Sequence, residues 1–314
     1  EKWGSESGVM LSRSLDGGES WPESERQWIW NNDRTIDETL DWLRPREIGE
    51  RAEIDLGDAD SIMHFCHSEY LKWPIGGSAN QPNKAANFHL GKLRHNPSFC
   101  LRSADRGRSW EKHATLLDAP RWAPGGGFLS VNLGHVRFDN GVLGIVGGVY
   151  RRNICAFYAS YNNGVSFEYV SNVARINPDI TPLDGDMLAG YNYSGVHKLL
   201  DGRLMACMHQ HWGATPDFEI PCVAFSTNDG MTWSEPEFIT TPGTFCGPVS
   251  GPRAESAPRN EEGMKDNSRQ RCPVALVTRE GRIIVLFARR TADRGCRGII
   301  GVVSDDLGAT WSEE

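Results

Sequence analysis

Short apolar segments alternate with polar turns along much of the 314-residue chain, and this pattern predicts an all-β protein. Three hairpins are the clearest cases: in each, an apolar strand leads through Asn-Gly, Asp-Gly or Glu-Gly into a second apolar strand. They occupy residues 136–146, 196–206 and 274–286. The second strand of the last hairpin is apolar from Ile283 to Phe287, so we expect neighbouring sheets to cover both of its faces.

An octapeptide of the form Ser-x-Asp/Asn-x-Gly-x-Ser/Thr-Trp/Phe follows each of five apolar strands. The copies of this octapeptide turn span residues 14–21, 103–110, 160–167, 226–233 and 304–311. Asp or Asn can accept hydrogen bonds from backbone amides a few residues further on, and Gly readily adopts the positive φ of a tight turn. The terminal aromatic residue is large enough to hold a hairpin against a core. We therefore expect Asp105 and its equivalents to brace turns rather than to bind metal or catalyse.

Five such turns in one chain resemble the Asp-box (BNR) repeats of the sialidase superfamily. That family has a six-bladed β-propeller fold, with four-stranded antiparallel blades and the box between the third and fourth strands. The resemblance implies that residues 1–314 form a single β-propeller domain. Because the turns account for four blades and half of another, we expect an incomplete propeller in this chain.

The spacing of the octapeptide turns indicates where the repeat is interrupted. The longest interval, from Ser14 to Ser103, predicts an insertion at about residues 31–96. Within it, Ile36, Leu40 and Leu43 recur at helical spacing, which predicts a short amphipathic helix at residues 35–43.

Composition limits the classes of partner. The net charge of −8, from 41 acidic and 33 basic residues, argues against nucleic acid, although a local arginine cluster can still bind an anionic sugar. No apolar run has the ~20 residues that cross a bilayer. The eight cysteines form no C-x-x-C pair, so we expect buried thiols, and the sequence predicts no metal and no cofactor. The family resemblance favours a secreted or periplasmic location, and we expect the true N-terminus to precede Glu1. The oligomeric state stays open.

Polar and aromatic residues recur at the ends of the inner strands in successive predicted blades, which predicts that they converge on one pocket. The acid/base candidates are Tyr193, His209, His211 and His135. The candidates for substrate binding are Arg290, Arg289, Arg151, Arg152, Arg271, Tyr150 and Tyr191. Arginine binds carboxylates in a bidentate manner, and histidine titrates near neutrality, so the set suits an anionic substrate and proton transfer.

Sialidases bind the sugar carboxylate through three arginines, attack with a tyrosine activated by a glutamate, and use an aspartate as acid/base. By this resemblance Arg290 matches the family's second arginine, with Arg289 as the alternative. Arg271 and its neighbours occupy the place of the expected glutamate, and no aspartate precedes the first octapeptide turn. Four loop residues could supply a carboxylate instead: Asp184, Asp186, Asp217 and Glu219.

The sequence therefore predicts a sialidase-like carbohydrate-active protein, an exo-glycosidase that binds an anionic sugar through an arginine clamp. Two alternatives stay open. A polysaccharide lyase would abstract a proton from a uronate with Tyr or His, and a sugar-binding propeller would have no catalytic activity.

Overall fold

The computed structural model describes residues 9–30, 62–67, 98–111, 115–117, 129–130, 135–149, 154–175, 190–212, 218–240, 269–290 and 296–312. The chain divides into two compact units: Glu1–Arg121 with Tyr161–Ser166, and Trp122–Ser160 with Phe167–Glu314. The helix predicted at 35–43 lies outside the described residues. No helix in the described part is long and apolar enough to cross a membrane.

In the described residues of the first unit there are two antiparallel sheets. Strands β1 (Val9–Ser12) and β2 (Arg26–Trp30) form the first sheet, with one turn of 3-10 helix at Glu23–Glu25 before β2. Strands β3 (Ile62–His67), β4 (Ser98–Ser103) and β5 (Thr115–Leu117) form the second sheet in that order. Strand β3 thus lies inside the segment that the spacing assigned to an insertion.

The described part of the second unit forms three antiparallel sheets. The third sheet consists of β6 (Leu129–Ser130), β7 (Val136–Arg137), β8 (Leu143–Val149), β9 (Ile154–Ser160) and β10 (Glu168–Arg175), with β6 and β7 both paired to β8. The fourth sheet runs in chain order through β11 (Gly190–Lys198), β12 (Leu204–Trp212), β13 (Phe218–Ser226) and β14 (Glu237–Phe238). The fifth sheet consists of β15 (Arg269–Val277), β16 (Ile283–Arg290) and β17 (Cys296–Ser304).

The predicted fold class is confirmed: the described residues are all-β, in consecutive antiparallel sheets of the kind that form propeller blades. The fourth sheet has the expected four strands, and its octapeptide turn lies between the third and the fourth. The number of blades and the single-domain organisation stay predictions.

The octapeptide turns are braced by their Asp or Asn side chains, as predicted. In the second turn, Ser103 Oγ donates to Asp105 Oδ1 at 2.8 Å, and the Ser109 amide and hydroxyl donate to the same carboxylate at 2.8 and 2.6 Å. The Gly107 amide donates to Ser103 Oγ at 2.8 Å. With Asn228 in place of Asp, the turn at 226–233 keeps this pattern, because the amide oxygen accepts and the amide nitrogen donates.

Backbone carbonyls of four turns accept hydrogen bonds from side chains outside the turn. In the first unit, Gln27 donates to the Gly107 carbonyl, and Arg102 donates to the Asn163 carbonyl at 2.8 Å. In the second unit, Ser171 donates to the Gly230 carbonyl at 2.5 Å, and Arg203 Nη2 donates to the Leu307 carbonyl at 3.0 Å. Each turn is therefore attached to a strand or hairpin that is distant in sequence.

Two apolar cores of described residues join the sheets of the second unit. The first core joins the third and fourth sheets through residues such as Phe157, Leu204 and Met208, with Trp233 of an octapeptide turn packed against it. The second core joins the fourth and fifth sheets through residues such as Cys207 and Phe287.

Three sequence expectations about burial can be compared with the structure. The expectation of buried thiols is confirmed for Cys100, Cys155, Cys207 and Cys222. The expectation that the Ile283–Phe287 strand is covered on both faces is wrong, because Leu286 is 45% exposed while its neighbours Val285 and Phe287 are buried. The terminal tryptophan of the octapeptide turn does not always pack against a core either, because Trp21 is 55% exposed.

Candidate functional site

The strands of the fourth and fifth sheets extend further than the apolar pattern indicated. Sequence reasoning placed the polar candidates before or after strands, whereas the structure includes them in β11, β12, β15 and β16. Backbone pairing continues through these residues, so the register decides which of them are neighbours. The candidate site is therefore built on strand ends, which fix positions more rigidly than loops do.

The two faces of the fourth sheet separate the candidates. Along β12, Leu204, Ala206 and Met208 belong to the first core, whereas Met205 and Cys207 belong to the second. Because side chains alternate along a strand, His209 continues the face of Cys207. His209 is 1% exposed, so its ring is a buried group at the strand end.

Tyr191 lies on the other face of this sheet. It pairs with Gln210 across the strands and packs against the first core, next to the third sheet. Burial, and then the nearby Cys222 and Glu235, raise the pKa of Tyr191. Its phenol therefore stays protonated near neutrality and can donate a hydrogen bond, which suits substrate binding better than nucleophilic attack.

His135 precedes β7 in the third sheet and is half-buried. Burial lowers the pKa of His135, and the neighbouring Arg137 lowers it further. The imidazole is therefore neutral near pH 7, the state in which it can accept a proton.

Arginines are concentrated at one end of the fifth sheet. Arg269 lies directly opposite Arg290 in the β15–β16 pairing, Gln270 lies opposite Arg289, and Arg271 lies opposite Ala288. The register thus brings four arginine positions together within two paired strand ends. Arg269 was not among the sequence candidates, because its position opposite Arg290 depends on the irregular register of β15 between Arg271 and Val274.

His211 has a carboxylate residue as its cross-strand neighbour. It lies opposite Glu219 of β13 and opposite Gly190 of β11. Glu219 was one of four possible carboxylates in the sequence, and the other three, Asp184, Asp186 and Asp217, lie outside the described residues. Tyr193 lies in β11, at the irregularity between Asn192 and Gly195.

Three further candidates, Tyr150, Arg151 and Arg152, lie outside the described residues. Among the residues that the structure does describe, no group of three or more His, Cys, Asp or Glu side chains could hold a metal ion.

No family model matches the chain, and no curated protein matches it. Several solved structures are similar in fold. A protein of unknown function from Dyadobacter fermentans has a TM-score of 0.46 and 17% identity, and the similarity covers 81% of this chain and 61% of that protein. An endo-arabinase from Bacteroides thetaiotaomicron has a TM-score of 0.45 and 12% identity, covering 80% of this chain and 75% of the enzyme.

A sialidase from Streptococcus pneumoniae has a TM-score of 0.39 and 13% identity, covering 67% of this chain and 36% of the enzyme. This chain therefore spans less than two thirds of the length of the Dyadobacter protein and about a third of the sialidase.

Proposed function

We propose that this protein is a sialidase-like glycosidase that binds the carboxylate of an anionic sugar through arginines at the β15–β16 end of the fifth sheet. The observation that carries the proposal is the register pairing of Arg269 with Arg290, flanked by Arg289 and Arg271. The five octapeptide turns, with their resemblance to the sialidase repeat, support the same assignment.

The electrostatics of the pairing favour an anionic ligand. Directly opposite residues in an antiparallel pair have Cβ atoms about 4.5–5.5 Å apart, and like charges at such positions destabilise a sheet. An arginine is never neutral at physiological pH, so the repulsion persists unless an anion compensates it. A sugar carboxylate bound by two guanidinium groups would turn this unfavourable pair into a binding site.

The fourth sheet supplies the groups for proton transfer in this proposal. His209, His211 and Tyr193 lie on β11 and β12, the strands that precede β15 and β16 in the repeat. Because His209 is buried, we assign it the role of positioning its neighbours. His211 lies at the polar end of β12, and we assign it to proton transfer. Tyr191 contributes a phenolic hydrogen-bond donor.

The experiment compares initial rates on a sialoside, on its methyl ester and on a uronate polymer. We expect the wild type to release free sugar acid from the sialoside, and R290A to lower kcat/KM about 10- to 100-fold, as expected for a lost hydrogen bond to a charged group. R282A is the matched control, because Arg282 precedes β16 at its opposite end and forms an exposed ion pair with Asp305. Equal losses in the two variants would argue against the clamp. A 4,5-unsaturated product would indicate a lyase, and binding without turnover a sugar-binding module.

A further inference from the structure

We propose that copies of this chain associate head to tail, with one face of the fifth sheet of one copy bound to the first sheet of the next copy. The inference is independent of the proposed function. It rests on two exposed apolar surfaces, one on each of these sheets, whose counterparts on the fourth sheet are buried against neighbouring sheets.

In the second unit, the fourth sheet packs one face against the preceding sheet and the opposite face against the next. Leu204, Ala206 and Met208 of β12 belong to the core with the third sheet. Met205 and Cys207, which alternate with them, belong to the core with the fifth sheet. A sheet of this repeat therefore has an inner face, directed to the preceding sheet, and an outer face, directed to the next one.

The octapeptide turn of a sheet packs together with the inner face. Trp233, in the turn of the fourth sheet, packs against the first core, and Trp311, in the turn of the fifth sheet, packs against the second core. A Cβ atom on Gly308 would lie 2.6 Å from Phe225 Cζ of the fourth sheet. The outer face of one sheet thus receives the inner face of the next sheet, the tryptophan of its turn and the glycine of that turn.

The outer face of the fifth sheet is apolar and exposed. Ile283, Val285 and Phe287 of β16 face the fourth sheet, so the residues that alternate with them form the outer face. The exposed apolar residues of this face, which we call the outer patch, are Val274, Leu276, Leu286 and Ile299. Leu276 is 59% exposed and Ile299 is 74% exposed. An exposed apolar patch on a sheet face marks an interaction surface.

The fourth sheet shows how such a patch is normally covered. Cys207 and Leu286 occupy equivalent positions, because each is the fifth residue after the glycine of its hairpin. Cys207 is buried in the second core by the fifth sheet, whereas Leu286 is exposed. The outer patch therefore has the position of a surface that receives another sheet of the same repeat.

The first sheet has the opposite kind of exposed surface. Met10 lies opposite Trp28 in the β1–β2 pairing, and both side chains are exposed. Gln27, on the other face, donates to the Gly107 carbonyl in the turn of the second sheet, so Met10 and Trp28 lie on the inner face. Met10 is four residues before the first serine of its turn, as is Cys222, which is buried in the core with the third sheet.

The turn of the first sheet is exposed in the same way. Its internal hydrogen bonds are formed, since the Ser20 amide donates to Asp16 Oδ1 at 2.9 Å. Trp21 is nevertheless exposed, and a Cβ atom on Gly18 would have nothing within 4 Å. We call Met10, Trp28 and Trp21 the inner patch. This turn therefore has the conformation of the docked turns without the sheet against which they pack.

The inner patch supplies what the outer patch receives: an apolar inner face, a terminal tryptophan and a turn glycine with open space beside it. Each patch is exposed within its own unit, so we assign the two patches to each other in different copies of the chain. Their burial removes apolar surface from water on both copies, which favours association. Because the two patches differ, the contact is heterologous, and each added copy leaves one patch of each kind exposed.

The test measures molecular mass by analytical ultracentrifugation. Leu276→Glu places a charge in the outer patch, Trp28→Glu places one in the inner patch, and Met231→Glu is the matched control, because Met231 is exposed and belongs to neither patch. The mass of the wild type should rise above 34.9 kDa between about 1 and 100 μM, where interfaces of modest area dissociate. Met231→Glu should behave like the wild type, and each patch variant alone should stay monomeric.

The decisive measurement mixes the two patch variants in equal amounts. Leu276→Glu keeps an intact inner patch and Trp28→Glu keeps an intact outer patch, so the mixture should form dimers, at twice the monomer mass, and no larger species. A monomeric wild type, or a mixture that stays monomeric, would overturn the proposal. Self-association of either patch variant alone would indicate another interface and would overturn it as well.

Far-UV circular dichroism and the urea midpoint check that the variants are folded, which we expect because both substituted side chains are exposed. Ile299→Glu and Met10→Glu provide a second pair in the same two patches. This pair should give the same result: monomers alone and dimers when mixed. A second pair that associated like the wild type would contradict the assignment of the two patches.

Discussion

The Gly230→Ala substitution tests whether the octapeptide turn at 226–233 packs against Phe157 of the third sheet. Gly230 has a φ of +84°, and a Cβ atom added there would overlap two ring carbons of Phe157. Phe157 is 1% exposed and belongs to the core between the third and fourth sheets, so its ring has little freedom to move. Two separate costs are therefore expected, one from the backbone and one from the contact.

The left-handed conformation costs an L-residue about 1–2 kcal/mol, and overpacking a core costs about 1–3 kcal/mol more. We expect Gly230→Ala to lower the free energy of unfolding by about 2–5 kcal/mol. Gly202→Ala is the matched control, because Gly202 has a φ of +88° with nothing within 4 Å of the added Cβ. Gly202→Ala should lower the free energy of unfolding only by the backbone cost of about 1–2 kcal/mol.

Urea unfolding followed by tryptophan fluorescence measures both variants. Gly308→Ala provides a replicate in the last turn, since its Cβ would lie 2.6 Å from Phe225 Cζ. If Gly230→Ala and Gly202→Ala lost equal stability, the turn would not be packed against Phe157, and the role of the octapeptide turns in joining sheets would be refuted.

Two further predictions concern charged groups in the first unit. Glu111→Gln should destabilise the protein by about 3–5 kcal/mol in urea unfolding, because it breaks a bidentate pair, Arg102 Nε to Oε1 and Nη2 to Oε2, whose side chains are only 0% and 4% exposed. The control Asp139→Asn, in an exposed ion pair, should cost no more than about 1 kcal/mol, and equal costs would contradict the role of burial. Hydrogen bonds, of which the one from the Ser109 side chain is the largest cause, lower the pKa of Asp105 to about 2 from the ordinary 3.8. The ionised Asp105 carboxylate therefore stabilises the fold fully above about pH 4, and this stabilisation is lost as the pH falls towards 2. Asp105→Asn, which mimics Asn228, should unfold with a shallower pH dependence in that range, and an unchanged acid transition would contradict this.

The sequence was sufficient to predict the local structure and the fold class, because both depend on short-range patterns. Asn-Gly, Asp-Gly and Glu-Gly turns between apolar runs specify hairpins, and the octapeptide specifies a turn whose hydrogen bonds are internal. Asp105 could therefore be assigned to turn bracing before its contacts were known. The expectation for Leu286 failed because apolar character alone does not indicate whether a neighbouring sheet covers a face.

The sequence predicted the candidate site only in part, because which residues are neighbours there depends on the register between strands. Arg269 and Glu219 could not be distinguished from other polar residues until their partners, Arg290 and His211, were fixed by pairing. A single-residue irregularity in β15 changes the partner of Arg269, and no sequence motif marks its position. Tyr191 and His209 lie on opposite faces of the fourth sheet because side chains alternate along β11 and β12. Both strands extend beyond their apolar segments, so the apolar pattern did not indicate this.

The central claim is that the arginine-bearing end of the fifth sheet recognises the carboxylate of a sugar acid that the protein hydrolyses. The most direct measurement is the ratio of kcat/KM for a sialoside to that for its methyl ester, with the released product identified. We predict free sugar acid as the product, and a ratio of at least about 10 that falls towards 1 in R290A and not in R282A. Equal turnover of acid and ester by the wild type would contradict the claim.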